Sequence, residues 1–238
     1  MQVVTRYKGD KVLQLEKALL FYKGHDKVFA TMHPVEKQGS GMALGAGEPL
    51  ELAAIHNLLV GLGKGLPQGM FLPGRVLSCG VGTLAWWTPS AQRLVWCRKE
   101  KDSKEQINGL VPHPGLVFVV SGGSWSVFAV KGDHRPTPET QLFQAPYFNV
   151  YDHGKICLGN IVTPGSCTPD TIDQWDEAFF GTLFTHPNTP KMIAYEGGAY
   201  QFWADLIGGK FSAFPEEFLV EQRGVTLGSV LCGLRGGE

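Results

Sequence analysis

The chain has 238 residues, a length that accommodates one large domain or one domain with an appendage. Its 21 basic and 22 acidic residues give a formal net charge of −1, which argues against a nucleic-acid-binding surface and against a polybasic membrane anchor. The amino-terminal residues lack the apolar core of a signal peptide, and no run approaches the ~20 apolar residues of a membrane-spanning helix. We therefore expect a cytoplasmic protein of bacterial type that binds soluble proteins, with no nucleic-acid partner and no membrane partner.

The cysteines are odd in number, and none of them forms a Cys-x-x-Cys pair. This pattern argues against both a structural zinc site and the disulfide framework of a small secreted protein. We expect reduced thiols, no bound metal and no cofactor. The five positions are Cys79, Cys97, Cys157, Cys167 and Cys232.

Residues 1–47 predict an amino-terminal extension that contains a β-hairpin. Two short apolar stretches, residues 18–22 and 27–30, flank the polar residues 23–26 and so indicate a strand, a turn and a second strand. A helix is predicted next, because Pro49 stands where a first helical turn accepts proline. The apolar residues that follow at helical spacing are Leu52, Ile55 and Leu59.

The next segment predicts an antiparallel meander of two hairpins. The first hairpin is assigned a turn at residues 89–92, which begins with Pro89, and the second a Ser-Gly-Gly-Ser turn at residues 121–124. The apolar runs are residues 84–88 and 93–97 in the first hairpin, and residues 116–120 and 125–130 in the second.

Two helices are predicted in the last third of the chain. Thr168, Pro169 and Asp170 form a helix-start signal, and a second apolar stripe predicts another helix near residue 203. The stripe of the first helix is Ile172, Trp175, Phe179 and Leu183, and that of the second is Ala199, Phe202, Trp203 and Leu206.

The candidate site lies in the segment Asn-Val-Tyr-Asp-His-Gly-Lys-Ile-Cys-Leu, residues 149–158. Asn149 precedes Cys157 by eight residues. A cysteine that carries an acyl group needs an exposed sulfur, and an amide donor nearby stabilises the negative charge that develops on the carbonyl oxygen. Cys157 and Asn149 are therefore the candidate catalytic residues.

The residues between them are predicted to support this loop. Gly154 allows a tight turn, because glycine takes positive φ without strain, and Tyr151 and His153 flank the turn. Ile156 and Leu158 are predicted to anchor the loop by burial on either side of the cysteine.

This order of residues resembles the active-site segment of ubiquitin-conjugating enzymes, which is His-Pro-Asn, five residues, and then x-Ile-Cys-Leu. More narrowly, residues 148–160 and 179–188 resemble the prokaryotic ubiquitin-conjugating-like family D of the PRTRC system. The resemblance implies an α+β ubiquitin-conjugating-like domain at residues 48–233, an antiparallel meander flanked by helices, with Cys157 as a thioester carrier. It also implies three partners from one gene cassette: a ThiF-like activating enzyme, a ubiquitin-like modifier and a JAB-type metallopeptidase.

The chain departs from the eukaryotic pattern at two places. Tyr147 and Phe148 replace the histidine and proline, and Gly159 replaces an aspartate that often follows the Cys-Leu pair. The aspartate helps to orient an attacking lysine in relatives. A His-Pro-Asn sequence does occur at residues 186–188, but it follows the cysteine, so we interpret it as a turn that begins the next segment.

Two other functions stay open. The chain can be a scaffold that binds a modifier without catalysis, or a cysteine hydrolase in which Cys157 acts with His153 or His186. Residues 234–238, Leu-Arg-Gly-Gly-Glu, are interpreted as a flexible tail, although Leu-Arg-Gly-Gly is also how ubiquitin ends.

Overall fold

The structure, a computed structural model, describes residues 4–7, 11–23, 28–51, 54–55, 71–80 and 82–233. These residues form an α+β protein with mostly antiparallel sheets and few helices, as predicted. The chain divides into two compact units, residues 1–70 and 71–238. The domain boundary placed after residue 47 stays a prediction, and the tail at residues 234–238 lies outside the described residues. No helix in the described part of the chain has both the length and the apolar character needed to cross a bilayer.

The described part of the first unit consists mainly of antiparallel strands. The predicted hairpin is confirmed as the pairing of β3 with β4, in which Phe21 lies opposite Ala30. The strands are β1 (Val4–Tyr7), β2 (Lys11–Gln14), β3 (Lys17–Lys23), β4 (Val28–Gln38), β5 (Gly41–Leu44) and β6 (Glu48–Pro49).

The prediction that Pro49 begins a helix is wrong. Pro49 lies in β6 and pairs with Thr31 of β4. A proline is tolerated in a short strand at a sheet edge, because its missing N–H breaks no ladder there. Ala54 and Ile55 are helical, whereas Leu52 and Leu59 of the predicted stripe lie outside the described residues.

The second unit contains a six-stranded sheet in the order β15-β13-β12-β11-β8-β7 and a three-stranded sheet in the order β10-β9-β14. The strands are β7 (Val76–Gly80), β8 (Thr83–Thr88), β9 (Ala91–Arg98), β10 (Gln106–His113), β11 (Gly115–Ser121), β12 (Ser124–Val130), β13 (Gln141–Gln144), β14 (Leu183–Phe184) and β15 (Glu221–Thr226). The helices are α1 (Ile172–Phe180), α2 (Gly198–Ile207) and α3 (Leu227–Gly233).

The first predicted hairpin is wrong in its pairing, although both of its strands exist. Strand β8 pairs with β11, and β9 pairs with β10. The two pairings share one register, because Thr88 lies opposite Leu116 and, three residues later, Ala91 lies opposite His113. The two pairs form one long hairpin that bends at Pro89 and closes farther along, after β9. Because proline cannot donate to a ladder, it interrupts a long strand as readily as it begins a turn. The second predicted hairpin, β11 with β12, is confirmed.

Strand β11 runs through the centre of the large sheet and is buried on both faces, which its unbroken apolar sequence explains. Alternate residues point to two separate clusters. One cluster includes Phe118 and is covered by α1 and α2, and the other includes Val117 and is covered by Leu227 of α3.

Helix α1 packs behind the candidate loop. Its Trp175 contacts Trp125 at a ring-centroid distance of 4.9 Å. Its buried Asp176 accepts hydrogen bonds from Trp86 Nε1 at 2.8 Å and from Arg75 Nη1 at 2.6 Å. These bonds fix the helix to the sheet.

The stripe predicted for α1 is wrong at its last residue. The helix ends at Phe180, where the N–H of Gly181 bonds to the carbonyl of Glu177 at 2.9 Å. Leu183 instead lies in β14, parallel to β9. The second predicted helix is confirmed as α2, which buries Trp203 and bonds its Nε1 to the carbonyl of Pro146 at 2.8 Å.

Candidate functional site

Residues 149–157 form a small closed hairpin, and this explains the spacing of Asn149 and Cys157. The N–H of Cys157 donates to the carbonyl of Asn149 at 2.7 Å, and the N–H of Tyr151 donates to the carbonyl of Lys155 at 2.8 Å. Val150 and Ile156 form an antiparallel bridge between these bonds. The candidate nucleophile and the candidate amide donor therefore lie side by side at the open end of the hairpin.

The tip of this hairpin requires a glycine at residue 154. Gly154 has φ +82°, as the sequence predicted. A Cβ added there would lie 2.6 Å from the ring of Phe128 and 2.8 Å from the carbonyl oxygen of Val127. His153 precedes it with φ 63° and an exposed side chain. The hairpin can therefore approach strand β12 only because this residue has no side chain.

The prediction that two apolar residues anchor the loop is half correct. Ile156 is buried, and its N–H donates to the carbonyl of Trp125 at 2.9 Å. Leu158 is 37% exposed, so the prediction of its burial is wrong. The chain turns after Cys157, where the N–H of Ile161 bonds to the carbonyl of Leu158 at 2.6 Å, and this turn leaves the leucine at the surface.

Cys157 is partly exposed, as a thiol that accepts an acyl group must be. The phenol of Tyr151 lies beside it. The pKa of Tyr151 is raised by a hydrogen bond with the Cys157 sulfur and, second, by the negative charge of the thiolate. The structure therefore brings Tyr151 to the sulfur, whereas His153 lies at the exposed tip.

A cavity of about 480 Å³ opens beside the cysteine. One wall is residues 157–161, the other wall is formed by residues from the segment 181–188, and Asn149 also lines it. Of these lining residues, all from the described part of the chain, only Cys157 and His186 can titrate. The cavity surface is more apolar than polar, and none of these lining residues is a lysine, an arginine or a carboxylate.

The amide of Asn149 is buried and has no protein partner. Neither its Nδ2 nor its Oδ1 makes a hydrogen bond to any described residue. An unpaired buried amide is unfavourable by roughly 1–3 kcal/mol, so a native protein that retains one often uses it. Because Asn149 is among the residues that line the cavity with Cys157, its amide is a candidate donor to a group bound there.

Aromatic packing fixes the turn that precedes Asn149, at the position of the missing His-Pro pair. Tyr147 is buried, and its hydroxyl bonds to Nδ1 of the buried His113 at 2.7 Å. Phe148 is also buried and contacts Tyr200 edge to face at 4.9 Å. Burial, and next the charge of Arg93, lowers the pKa of His113 to about 3, and burial raises the pKa of Tyr147.

The His-Pro-Asn segment reaches the same cavity, although we interpreted it from sequence as a turn and paired His186 with Cys157 only in the hydrolase alternative. The N–H of Asn188 donates to the carbonyl of Phe148 at 3.0 Å. The exposed His186 lines the cavity, and its Nδ1 bonds to Thr185 Oγ1 at 3.0 Å. The place of the motif in the chain could have indicated this position. It follows a helix that packs behind the loop, so the chain is close to the loop when that helix ends.

The four other cysteines have different surroundings. Cys97 is buried, and burial raises the pKa of its thiol to about 12. Cys167 packs against the core, and burial followed by the charge of Cys79 raises its pKa. Cys79 and Cys232 are exposed and do not line the cavity that holds Cys157.

A protein-family model matches most of the chain. Residues 54–222, more than half of the chain, match the model described as prokaryotic E2 family D. No curated protein and no solved structure gives a significant match. The matched region includes the hairpin, both cavity walls and helix α1. E2 proteins are the ubiquitin-conjugating class, so the match relates the chain to ubiquitin-like conjugation in bacteria. The chain belongs to prokaryotic E2 family D.

Proposed function

We propose that this protein carries a ubiquitin-like modifier as a thioester on Cys157 and passes it to an acceptor amine. The observation that supports this most strongly is the presence of a partly exposed thiol and an unpaired buried amide in one cavity. Family membership supports a conjugating transferase in general. The choice of Cys157 and Asn149 depends on the geometry of the hairpin.

The first step is thioester exchange. The Cys157 thiolate attacks the carbonyl carbon of a modifier that is already joined as a thioester to an activating enzyme. The new carbon–sulfur bond forms, the old one breaks, and the activating enzyme recovers its thiolate. A ThiF-like enzyme is the proposed donor, and a JAB-type metallopeptidase is the proposed third member of the system.

The second step is aminolysis. The nitrogen of the acceptor amine attacks the thioester carbonyl, and negative charge develops on the carbonyl oxygen. The Nδ2 group of Asn149 is proposed to donate to this oxyanion, since it has no competing protein partner. The intermediate then loses a proton from the nitrogen, releases the Cys157 thiolate and forms the amide.

A charging assay tests the proposal. The protein is mixed with the activating enzyme of its own gene cassette, the modifier and ATP, and the products are separated on a non-reducing gel. We expect a thiol-sensitive adduct on the native protein, a reductant-resistant oxyester on Cys157→Ser and no adduct on Cys157→Ala. Cys167→Ala is the matched control and should charge normally.

The second candidate is a cysteine hydrolase, and one observation favours it. His186 shares the cavity with Cys157, so it is a better partner for the thiol than His153. A hydrolase would cleave the modifier from a conjugate without ATP. Incubation with a modifier thioester or a modifier conjugate separates the two functions, because a carrier transfers the acyl group to amines and a hydrolase releases it to water.

A non-catalytic scaffold is the remaining alternative. Such a protein would bind the modifier equally well with alanine at residue 157 and would never form the adduct. Binding measured with native protein and with Cys157→Ala, beside the charging assay, distinguishes a scaffold from a carrier.

A further inference from the structure

The cavity beside Cys157 contains one imidazole. His186 is exposed, lines the cavity and bonds through Nδ1 to Thr185 Oγ1 at 3.0 Å. In the tautomer in which Nδ1 donates to this threonine, Nε2 has the lone pair that accepts a proton. The side chain is therefore oriented through one nitrogen and open at the other.

Aminolysis requires a proton acceptor in this place. When a neutral amine attacks the thioester carbonyl, its nitrogen becomes positively charged and must lose a proton before the amide forms. Gly159 stands where an acidic residue would lie next to the Cys-Leu pair, and none of the described lining residues is a carboxylate. The cavity thus lacks the usual acidic group while it holds a basic one.

We propose that His186 is the general base of the transfer step, a role that rests on the proposed function. The amine nitrogen bonds to the carbonyl carbon, its proton passes to Nε2 of His186, and the carbon–sulfur bond to Cys157 breaks. The Cys157 thiolate leaves, and the imidazolium later gives its proton to solvent. The occupant of the space between Cys157 and His186 is accordingly a primary amine, such as the side chain of lysine.

The described lining residues leave His186 as the one candidate base. Apart from His186, the Cys157 thiol is the only titratable group among them. The chain continues from this wall to Thr189, whose hydroxyl donates to Asp152 at 2.5 Å, so that carboxylate already has a partner. Lys191 follows it and is exposed. His153, at the tip of the hairpin, does not line the cavity.

The test measures discharge of preloaded protein in single turnover. Native protein, His186→Gln and the control His134→Gln are charged, freed of the activating enzyme and ATP, and mixed with free lysine. We expect about a 100-fold slower discharge for His186→Gln, because a positioned general base typically contributes about 100- to 10,000-fold. His134 is exposed and does not line the cavity, so His134→Gln should discharge like native protein. Equal circular dichroism spectra and equal charging of all three establish that the variants are folded.

The pH profile separates a base from a merely structural histidine. Native protein and His186→Gln meet the same fraction of unprotonated lysine at each pH, so the ratio of their rates isolates the imidazole. We expect this ratio to fall as the pH decreases, because a protonated imidazole has no lone pair to accept the proton of the amine. A ratio that is constant with pH would overturn the proposal, as would equal rates at all pH values.

Failure of this inference is distinguishable from failure of the proposed function. If Cys157 does not charge, the proposed function fails and the role of His186 in it fails with it. If Cys157 charges and His186→Gln discharges normally, the proposed function stands and only the general base is wrong. If His186→Gln slows release to water but not transfer to lysine, His186 serves hydrolysis and the inference is again wrong.

Discussion

Two short segments meet at the cavity of Cys157, and they differ in burial and in the contacts that hold them. Tyr147 and Phe148 precede Asn149, are completely buried, and are held by aromatic contacts and by the bond to His113. The segment with Thr185 and His186 lies after the cysteine in sequence and is exposed. A single hydrogen bond from the Asn188 N–H to the Phe148 carbonyl joins the two.

The buried segment suits a group that must be held in place, and the exposed segment suits a group that incoming molecules must reach. An amide that stabilises an oxyanion must be held in place, and the buried turn fixes the backbone that leads into Asn149 for this proposed role. A base that receives a proton from many different acceptor amines must stay accessible to them, and the exposed segment does this for His186. Each segment has the environment that its proposed role needs.

The largest expected effect is the loss of the Asn149 amide. Asn149→Ala should slow transfer to lysine by about 100- to 1000-fold, or ~2.7–4 kcal/mol, because one oxyanion donor is worth that much. Charging should still occur, since the activating enzyme can stabilise the oxyanion of the first step. Single-turnover discharge of preloaded protein measures the effect.

Asn188→Ala is the matched variant from the exposed segment. Its backbone bond to Phe148 does not need the side chain, so the discharge rate should change much less than for Asn149→Ala. Equal rates for native protein and Asn149→Ala would instead make Asn149 a residue that only shapes the hairpin. If Asn188→Ala slowed discharge more than Asn149→Ala, the oxyanion donor would lie in the exposed segment and not after the buried turn.

The next effect concerns the hairpin that holds the cysteine. Gly154→Ala should lower the free energy of unfolding by about 2–3 kcal/mol, through the left-handed backbone and the contacts with Phe128 and Val127. Gly159→Ala is the control, because Gly159 also has positive φ but no atom lies within 4 Å of its added Cβ. It should cost only about 1 kcal/mol. Urea denaturation of the three proteins compares these values, and equal losses would mean that the hairpin does not depend on close approach to β12.

A smaller effect is the pH dependence that the buried His113 gives to the free energy of unfolding. The pKa of His113 is about 3 in the folded protein, so between that value and the ordinary value of about 6.5 the unfolded chain binds more protons. Stability from this group is complete above about pH 6.5 and decreases as the pH falls. The decrease from pH 7 to pH 5 should be about 2 kcal/mol.

His113→Gln removes this titration. We expect the urea midpoint of this variant to be lower at pH 7, because the bond to Tyr147 is altered, but to change less between pH 7 and pH 5. An unchanged pH dependence would show that other groups cause the acid sensitivity of the native protein.

The smallest expected effect is that of the tail. Deletion of residues 234–238 should leave the rate of Cys157 charging unchanged, because no motif gives these residues a role in holding a thioester. A peptide bond from Gly237 to another protein, seen by mass spectrometry, would instead favour a tail that becomes conjugated.

The sequence predicted the local geometry of the hairpin at residues 149–157 better than it predicted the paths between strands. The number of residues between Asn149 and Cys157 can be read from sequence, because in a closed hairpin this number decides which two residues lie opposite each other at its open end. Gly154 belonged to the same local pattern, and its positive φ was predicted for the correct reason. The roles assigned to Cys157 and Asn149 stay predictions until they are measured.

The errors arose where distant segments decide the outcome. Pro89 marks a bend only because residues 106–113 return to pair with the far half of the strand. Leu183 has helical spacing but joins β9, and Leu158 is exposed because the chain turns after the cysteine. The position of His186 beside Cys157 likewise depends on the length and direction of α1, which the motif alone does not contain.

The central claim is that Cys157, and no other residue, carries the modifier. The most direct measurement is to charge the native protein, digest it without reductant at low pH and locate the carboxyl terminus of the modifier by mass spectrometry. The account predicts a thioester on the peptide that contains Cys157, lost on treatment with a thiol. A modifier attached to Cys167 or to a lysine, with normal charging of Cys157→Ala, would contradict it.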